Sequence, residues 1–268
     1  MVARLEQIVA ASRRRVAATR QSADLRELER KAESHVPRGF RRALEVKSTR
    51  GTAVIAELKK ASPSRGVIRE DFEPEQLARE FEAAGAAGLS VLTDEEFFQG
   101  SLANLQRASS ATNLPCLRKD FILDEFQLLE ARANCADAVL LIVAALSQNE
   151  LIGLTMQSRE YELDVLCEVH DQEELQRALD AGCNLIGVNS RDLKTFEVEL
   201  ETAVRLAPMI PRNVVSVAES GIHSGADVGR LRAAGYQAFL IGESLMKAAW
   251  PGDVLRALLA EAQATIAR

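Results

Sequence analysis

Glu57 and Lys59 stand two residues apart at the end of the apolar run Val54-Ile55-Ala56. Alternation along a strand sends both side chains to one face. A carboxylate and an ammonium sharing the face of a buried strand make poor packing and good acid–base chemistry. The same grammar returns along the chain. Pro115-Cys116-Leu117 leads into Arg118-Lys119-Asp120, and Val165-Leu166-Cys167 stops at Glu168. Leu185-Ile186-Gly187-Val188 stops at Asn189, with Arg191 just beyond. Val214-Val215-Ser216-Val217-Ala218 stops at Glu219-Ser220-Gly221, and Phe239-Leu240-Ile241 stops at Gly242. Taken singly, each has a plainer reading: Lys119 as a surface lysine beside Asp120, Glu168 as a solvated strand end, Asn189 as a turn cap. Together they describe one rim around one cavity, with lysines and glutamates for proton transfer. The glycine-containing turns at Gly221 and Gly242 suit an anion, because glycine lets backbone N–H groups come close to it.

Such a rim needs elements to hold it. Strand-like runs fall near 52–58, 88–93, 114–118, 137–143, 163–168, 184–189, 214–219 and 237–242. Helical patterns lie between them. Pro74 suits a first turn, Ser147 with Glu150 makes a capping box, and Asp171-Gln172-Glu173-Glu174 gives an acidic first turn. Further patterns open at Ser101 and Asp124 and span about 199–207 and 225–234. Alternating strand and helix imply a parallel sheet with right-handed crossovers. The expected fold is an α/β (β/α)8 barrel over residues 51–268, preceded by an N-terminal helical extension over 1–50. An open doubly wound sheet is the competing fold, but no Gly-x-Gly-x-x-Gly turn follows the first strand. Loops after strands seven and eight are the usual phosphate site of such a barrel. Residues 1–50 can either plug the barrel bottom or cross the top rim as a cover, and periodicity does not separate the two.

Composition narrows the function classes. A net charge of -6 and no free-standing basic stripe argue against a nucleic-acid footprint. Arg13-Arg14-Arg15 reads as a solvated helix face. The opening Met1-Val2-Ala3-Arg4-Leu5-Glu6 starts an amphipathic helix rather than a signal core. No apolar run approaches the about 18 residues of a membrane span. The cysteines at 116, 135, 167 and 183 lack metal or redox spacing and read as buried reduced thiols. No histidine cluster suggests a metal.

Four stretches carry a family likeness. Ile55-Ala56-Glu57-Leu58-Lys59-Lys60-Ala61-Ser62-Pro63-Ser64 closely resembles the first-strand signature of indole-3-glycerol phosphate synthase, and Leu117-Arg118-Lys119-Asp120-Phe121-Ile122 resembles its third. Ile186-Gly187-Val188-Asn189-Ser190-Arg191-Asp192-Leu193 and Val217-Ala218-Glu219-Ser220-Gly221-Ile222 resemble the sixth and seventh. The likeness runs from about Pro37 to about Met246. It implies a cytoplasmic lyase of tryptophan biosynthesis that needs no metal or organic cofactor. That enzyme converts 1-(2-carboxyphenylamino)-1-deoxyribulose 5-phosphate to indole-3-glycerol phosphate, carbon dioxide and water. It implies a phosphorylated small-molecule substrate, no nucleic-acid or membrane partner, and a monomer, with a weak dimer as the alternative.

The resemblance also assigns residues. Lys119 matches the general-acid lysine and Glu168 the acid/base glutamate. Lys59 matches a second lysine that binds anionic groups of the substrate and can serve dehydration, with Glu57, Asn189 and Glu219 as orienting partners. Ser220, Gly221, Gly242 and Glu243 match the phosphate loops, and Arg191 an arginine near the anionic end. Phe98, Phe121, Leu140 and Leu193 match walls of an apolar slot for the aromatic ring, and Ser62 and Ile241 complete the substrate contacts. Glu243 departs from the serine of many relatives; the contact there is expected from the backbone N–H, and a carboxylate would repel a phosphate unless it points out to solvent. Gln99 stands where an asparagine is frequent. With no second barrel in 268 residues, the chain reads as monofunctional. The rival readings are another phosphate-binding barrel enzyme, such as a phosphoribosyl aminoaldose–ketose isomerase, and a ligand-binding barrel without turnover.

Overall fold

The structure is a computed structural model that describes residues 5–193 and 195–266. The first four residues of the expected N-terminal helix lie outside that range. Eight strands, β1 (Ala53–Leu58), β2 (Gly88–Leu92), β3 (Cys116–Lys119), β4 (Ala138–Ile142), β5 (Asp164–Val169), β6 (Leu185–Asn189), β7 (Val215–Glu219) and β8 (Ala238–Ile241), fall where the apolar runs place them. All are parallel, and their hydrogen-bonded order β1-β8-β7-β6-β5-β4-β3-β2 closes on itself. The open-sheet alternative is therefore overturned.

The strands are apolar on both faces because both are buried. One face of each strand packs outward against the helical ring, through Val54, Val91, Val139, Ile186 and Phe239 among others. The other face fills the lumen with Ile55, Leu117, Leu140, Leu166, Val217 and Leu240. The helical ring comprises α4 (Pro74–Ala84), α5 (Leu102–Ser110), α6 (Phe126–Ala133), α7 (Gln148–Glu160), α8 (Gln172–Asp180), α9 (Leu200–Leu206), α10 (Gly225–Ala234) and α11 (Pro251–Ile266), and three earlier helices precede it. Pro74 occupies the first turn of α4, and the Ser147–Glu150 capping box is formed at α7. A second capping box, Ser224 with Asp227, starts α10. A short hairpin, Ala61–Ser62 with Gly66–Val67, follows β1 and has no counterpart in the expected elements.

The N-terminal segment resolves the choice between cover and plug by doing both. Helices α1 (Leu5–Ser22), α2 (Leu25–Ser34) and α3 (Phe40–Ser48) take different stations. Leu5 and Ile8 of α1 line the cavity at the top of the barrel. Arg15 bridges Asp94 (2.8 Å) and Asp120 (3.0 Å), so it is a strap rather than part of a solvated face. Ala32 of α2 packs on Leu129 and Ala133 of α6. Phe40 and Leu44 of α3 are fully buried in the lower lumen. Burial of side chains of this size contributes about 1.5–3 kcal/mol each.

Cys167 on β5 and Cys183 just before β6 lie side by side, because adjacent strands bring together two positions that spacing alone does not link. Cys116 and Cys135 are free, and burial pushes the Cys116 thiol up to about 12.

Candidate active site

The lumen alternation itself generates the rim. Two residues beyond lumen-facing Ile55, Leu117, Leu166 and Val217 come Glu57, Lys119, Glu168 and Glu219. These lie at the last or next-to-last position of their strands, at the mouth, on the same inward face as the core beneath. Asn189 pairs in register with Glu219, and Ile142 with Glu168, so neighbouring strands bring these rim residues to matching levels. Two glycines make room. A Cβ on Gly187 would overlap the Glu219 carboxylate, and one on Gly242 would overlap that of Glu57.

The resulting cavity holds about 470 Å3. Every residue assigned to the site from the sequence lines it, which joins Glu57, Lys59 and Ser62 to Glu168, Asn189, Arg191 and the Gly221 and Gly242 turns. At its floor, Lys119 Nζ donates to Glu168 Oε2 and to Glu219 Oε2, both at 2.8 Å. Lys59 Nζ donates to Glu57 Oε1 at 2.6 Å. Burial by itself would depress the Lys119 ammonium, but Glu168, Glu219 and Glu57 outweigh it and hold Lys119 above the ordinary lysine range. Burial also acts to raise Glu168, yet Lys119 and His170 hold it well below the usual carboxylate range. Glu219 goes the other way: burial, with Glu168 and Glu57 nearby, pushes it up to about 7 despite Lys119. Its Oε1 is buried without a hydrogen-bond partner. One cation shared by two carboxylates thus leaves one base ionised and one poised near neutrality.

A buried network stiffens the β3 end. Asp120 accepts from Thr93 Oγ1 (2.7 Å), Arg118 Nη2 (3.1 Å) and the backbone N–H of Phe121 (2.9 Å). Asp94 accepts from the Phe97 N–H and caps a single helical turn, Glu95–Phe98. The two aspartates, tied by Arg15, thereby fix Phe98 and Phe121, whose ring centroids are 6.4 Å apart. With Leu140, Leu193, Leu5 and Ile8 these rings form the apolar side of the cavity.

The opposite side is cationic and glycine-rich. Ser220 and Gly221 both take left-handed backbone angles (φ 65° and 75°), and Ser220 Oγ donates to Asn189 Oδ1 at 2.8 Å. A non-glycine residue held there is a strained turn of the kind that accompanies ligand loops. Glu243 does not point out to solvent but is held by cations. Its carboxylate lies among Lys247 (2.6 Å), Arg65 (3.3 Å) and Arg191 (3.4 Å). Burial works to raise it, but Lys247, Arg65 and Lys59 outweigh that and lower it. Among the described residues no group of three or more His, Cys, Asp or Glu side chains is placed to hold a metal ion.

Sequence reading missed Arg65, which the unforeseen hairpin carries to the rim, and the α1 contacts. It also missed His170, behind Glu168. Its only signal was position, two residues past Glu168 and one past the end of β5.

Comparisons with known proteins agree with this geometry. The family model described as "Indole-3-glycerol phosphate synthase" matches residues 5–258. A protein of that name from Koribacter versatilis (strain Ellin345) is 57% identical over 259 residues, covering 97% of this chain and 100% of the relative. Another from Acidithiobacillus ferrooxidans (strain ATCC 53993 / BNL-5-31) is 55% identical over 223 residues, covering 83% of this chain and 85% of the relative. Among solved structures, thiamine phosphate pyrophosphorylase from Pyrococcus furiosus superposes with a TM-score of 0.61 at 14% identity, over 82% of this chain and 98% of that one. At that identity the likeness speaks for the fold alone.

Proposed function

The chain belongs to the indole-3-glycerol phosphate synthase family, and from that premise we propose how its own residues run the decarboxylating ring closure of tryptophan biosynthesis. The substrate is a phosphorylated anthranilate derivative with a ketone at C2′. The aromatic carbon that bears the carboxylate attacks C2′, and negative charge grows on the carbonyl oxygen. Lys119, kept protonated between two glutamates, donates the proton that stabilises it. Carbon dioxide then leaves. Glu168, kept ionised, removes a proton of the new ring while the C2′ hydroxyl departs as water. Lys59, beside Glu57 and facing the Glu243 side of the cavity, holds anionic groups of the substrate and supplies the proton to the leaving hydroxyl. Glu57, Asn189 and Glu219 orient the lysines and the ribulose hydroxyls.

The phosphate sits against the turns of Ser220-Gly221 and Gly242-Glu243, with Arg191 as its counter-charge. Glu243 does not repel it, because Lys247, Arg65 and Arg191 neutralise that carboxylate. The anthranilate ring lies in the slot of Phe98, Phe121, Leu140 and Leu193, and Ser62 and Ile241 close the remaining wall. Residues 1–50 act with the barrel of 51–268 as one catalytic unit, top cover and bottom plug together. The protein works as a monomer; a concentration-dependent mass in sedimentation would favour the weak dimer instead. A cytoplasmic location fits a substrate whose charges prevent unaided membrane crossing.

The observation that carries this reading is the Glu168–Lys119–Glu219 triangle at the floor of a cavity with one apolar and one cationic side. Incubation with 1-(2-carboxyphenylamino)-1-deoxyribulose 5-phosphate tests it by the rise of indole fluorescence. No indole product from folded protein overturns it. An isomerase would want an Asp with a Cys or His at the strand ends, whereas here two lysines point inward.

A further inference from the structure

We infer that His170, oriented by Glu174, is a positioning residue that fixes the Glu168 carboxylate in its ionised state and in its aim at Lys119. The inference rests on the reading of Glu168 as the acid/base group and goes beyond it, because His170 is not among the residues that line the cavity.

The geometry is a chain of three groups. His170 follows the last residue of β5, and its backbone N–H donates to Glu174 Oε2 at 2.8 Å. The same oxygen lies 2.9 Å from His170 Nδ1. One carboxylate oxygen therefore receives both the main chain and the ring, which places the proton on Nδ1 and leaves Nε2 pointing the other way. Glu174 is itself anchored in the first turn of α8, where its N–H donates to Asp171 Oδ1 at 2.9 Å. Nε2 is shut off from solvent, has no hydrogen-bond partner, and faces Glu168 Oε1 at 3.5 Å. The two oxygens of Glu168 thus meet different cations, Lys119 on Oε2 and the His170 ring on Oε1. A histidine serving only as packing has no need of this orientation.

Charge favours the same arrangement. When Glu219 is ionised, Glu168, Glu219 and Lys119 carry one net negative charge in a buried cluster, and an imidazolium at His170 cancels it. Burial acts to lower His170, but Glu168 and Glu174 outweigh it and push it up to about 10. These two carboxylates are the charged groups that face the ring, one from β5 and one from α8. Arg177, on the same helix as Glu174, is turned away to the carbonyls of Val143 and Leu146. Behind Glu168 stand Lys119 from β3 and Glu219 from β7.

Removing the imidazolium takes one of two cations from Glu168. Its carboxylate then binds a proton at higher pH, so the acid limb of the kcat profile moves up. In His170→Gln we expect the limb to rise by about one pH unit; kcat at neutral pH should fall a fewfold, through the lost aim of Glu168 rather than its protonation, with KM nearly unchanged. Glu174→Gln keeps an acceptor for Nδ1–H and should show a smaller shift in the same direction. An unmoved limb in His170→Gln, in an enzyme that Glu168→Gln inactivates, overturns this inference alone. Full turnover in Glu168→Gln overturns the underlying assignment as well. In the unaltered protein, imidazole nitrogen NMR should find His170 doubly protonated through neutral pH, and a neutral ring at pH 7 contradicts the proposal even if the variants fail to fold.

Discussion

Asp137 at the bottom of the barrel and Glu219 at the top are both almost wholly buried carboxylates. Asp137 is saturated. It accepts from the backbone N–H of Arg38 (2.7 Å) and of Cys116 (2.6 Å), and from the Arg38 guanidinium, with His35 Nε2 at 3.3 Å. Burial would raise it, yet His35 and Arg38 hold it below its ordinary value. Glu219 receives Lys119 on one oxygen and nothing on the other, and stands near 7. The first arrangement ties the N-terminal segment to the barrel and leaves nothing for a ligand to gain. The second leaves an unsatisfied polar atom and an acid–base group beside an open cavity, and a substrate can recover what folding left unmade. One end of the barrel is built for stability and the other for chemistry.

Substitutions at the two ends should separate rate from stability. At the top, Lys119→Ala should lower turnover by about 10^3. The fold should survive, because a glutamate left without its cation takes up a proton, and binding of a phosphate analogue should persist in calorimetry. A mild rate loss would remove Lys119 from the acid role. At the bottom, Asp137→Ala strands Arg38 and should cost about 3–5 kcal/mol of folding stability. Urea unfolding reads that loss, and kcat per folded molecule should hold. A dead but stable Asp137→Ala enzyme would break the division between the ends.

Between the two lies the strap. Arg15→Ala frees α1 from Asp94 and Asp120, both buried under a partly exposed guanidinium. We expect about 1 kcal/mol, seen as about a fivefold rise in KM. A fall in melting temperature with KM unaltered would instead make α1 purely structural. The last test is titration of the bottom cluster. The folded His35 is raised to about 9 from 6.5, so its contribution is whole below 6.5 and fades as pH rises through about 9. Asp137 acts from the other side: its contribution is present above 3.8 and is lost as pH falls through its lowered folded value. The urea midpoint should therefore decline between about pH 6.5 and 9, and His35→Gln should lessen that decline, leaving the part due to His170, itself raised to about 10.

The barrel was legible because each strand is a short apolar run bounded by turn residues, and the rim because a strand's last inward residue must be polar at a wet mouth. Glu57, Lys119, Glu168 and Glu219 are four instances of that rule. The placement of residues 1–50 was not legible, since an amphipathic helix shows that one face is buried and not against what. Arg15 looked like its neighbours Arg13 and Arg14 until Asp94 and Asp120 met it from distant loops. The Cys167–Cys183 proximity and the turn of Glu243 toward Arg65 and Arg191 depend on contacts that no local pattern encodes. His170 was invisible for a related reason: its partner Glu174 reads as an ordinary acidic first turn.

The proposed acid of ring closure is Lys119, not Lys59, acting on the C2′ carbonyl. A crystal structure of Glu168→Gln with the intact substrate bound measures it directly. Lys119 Nζ should lie within about 3 Å of the carbonyl oxygen, with Lys59 turned to the substrate's anionic groups. Lys59 at the carbonyl, and Lys119 beyond hydrogen-bond reach of it, would contradict the assignment.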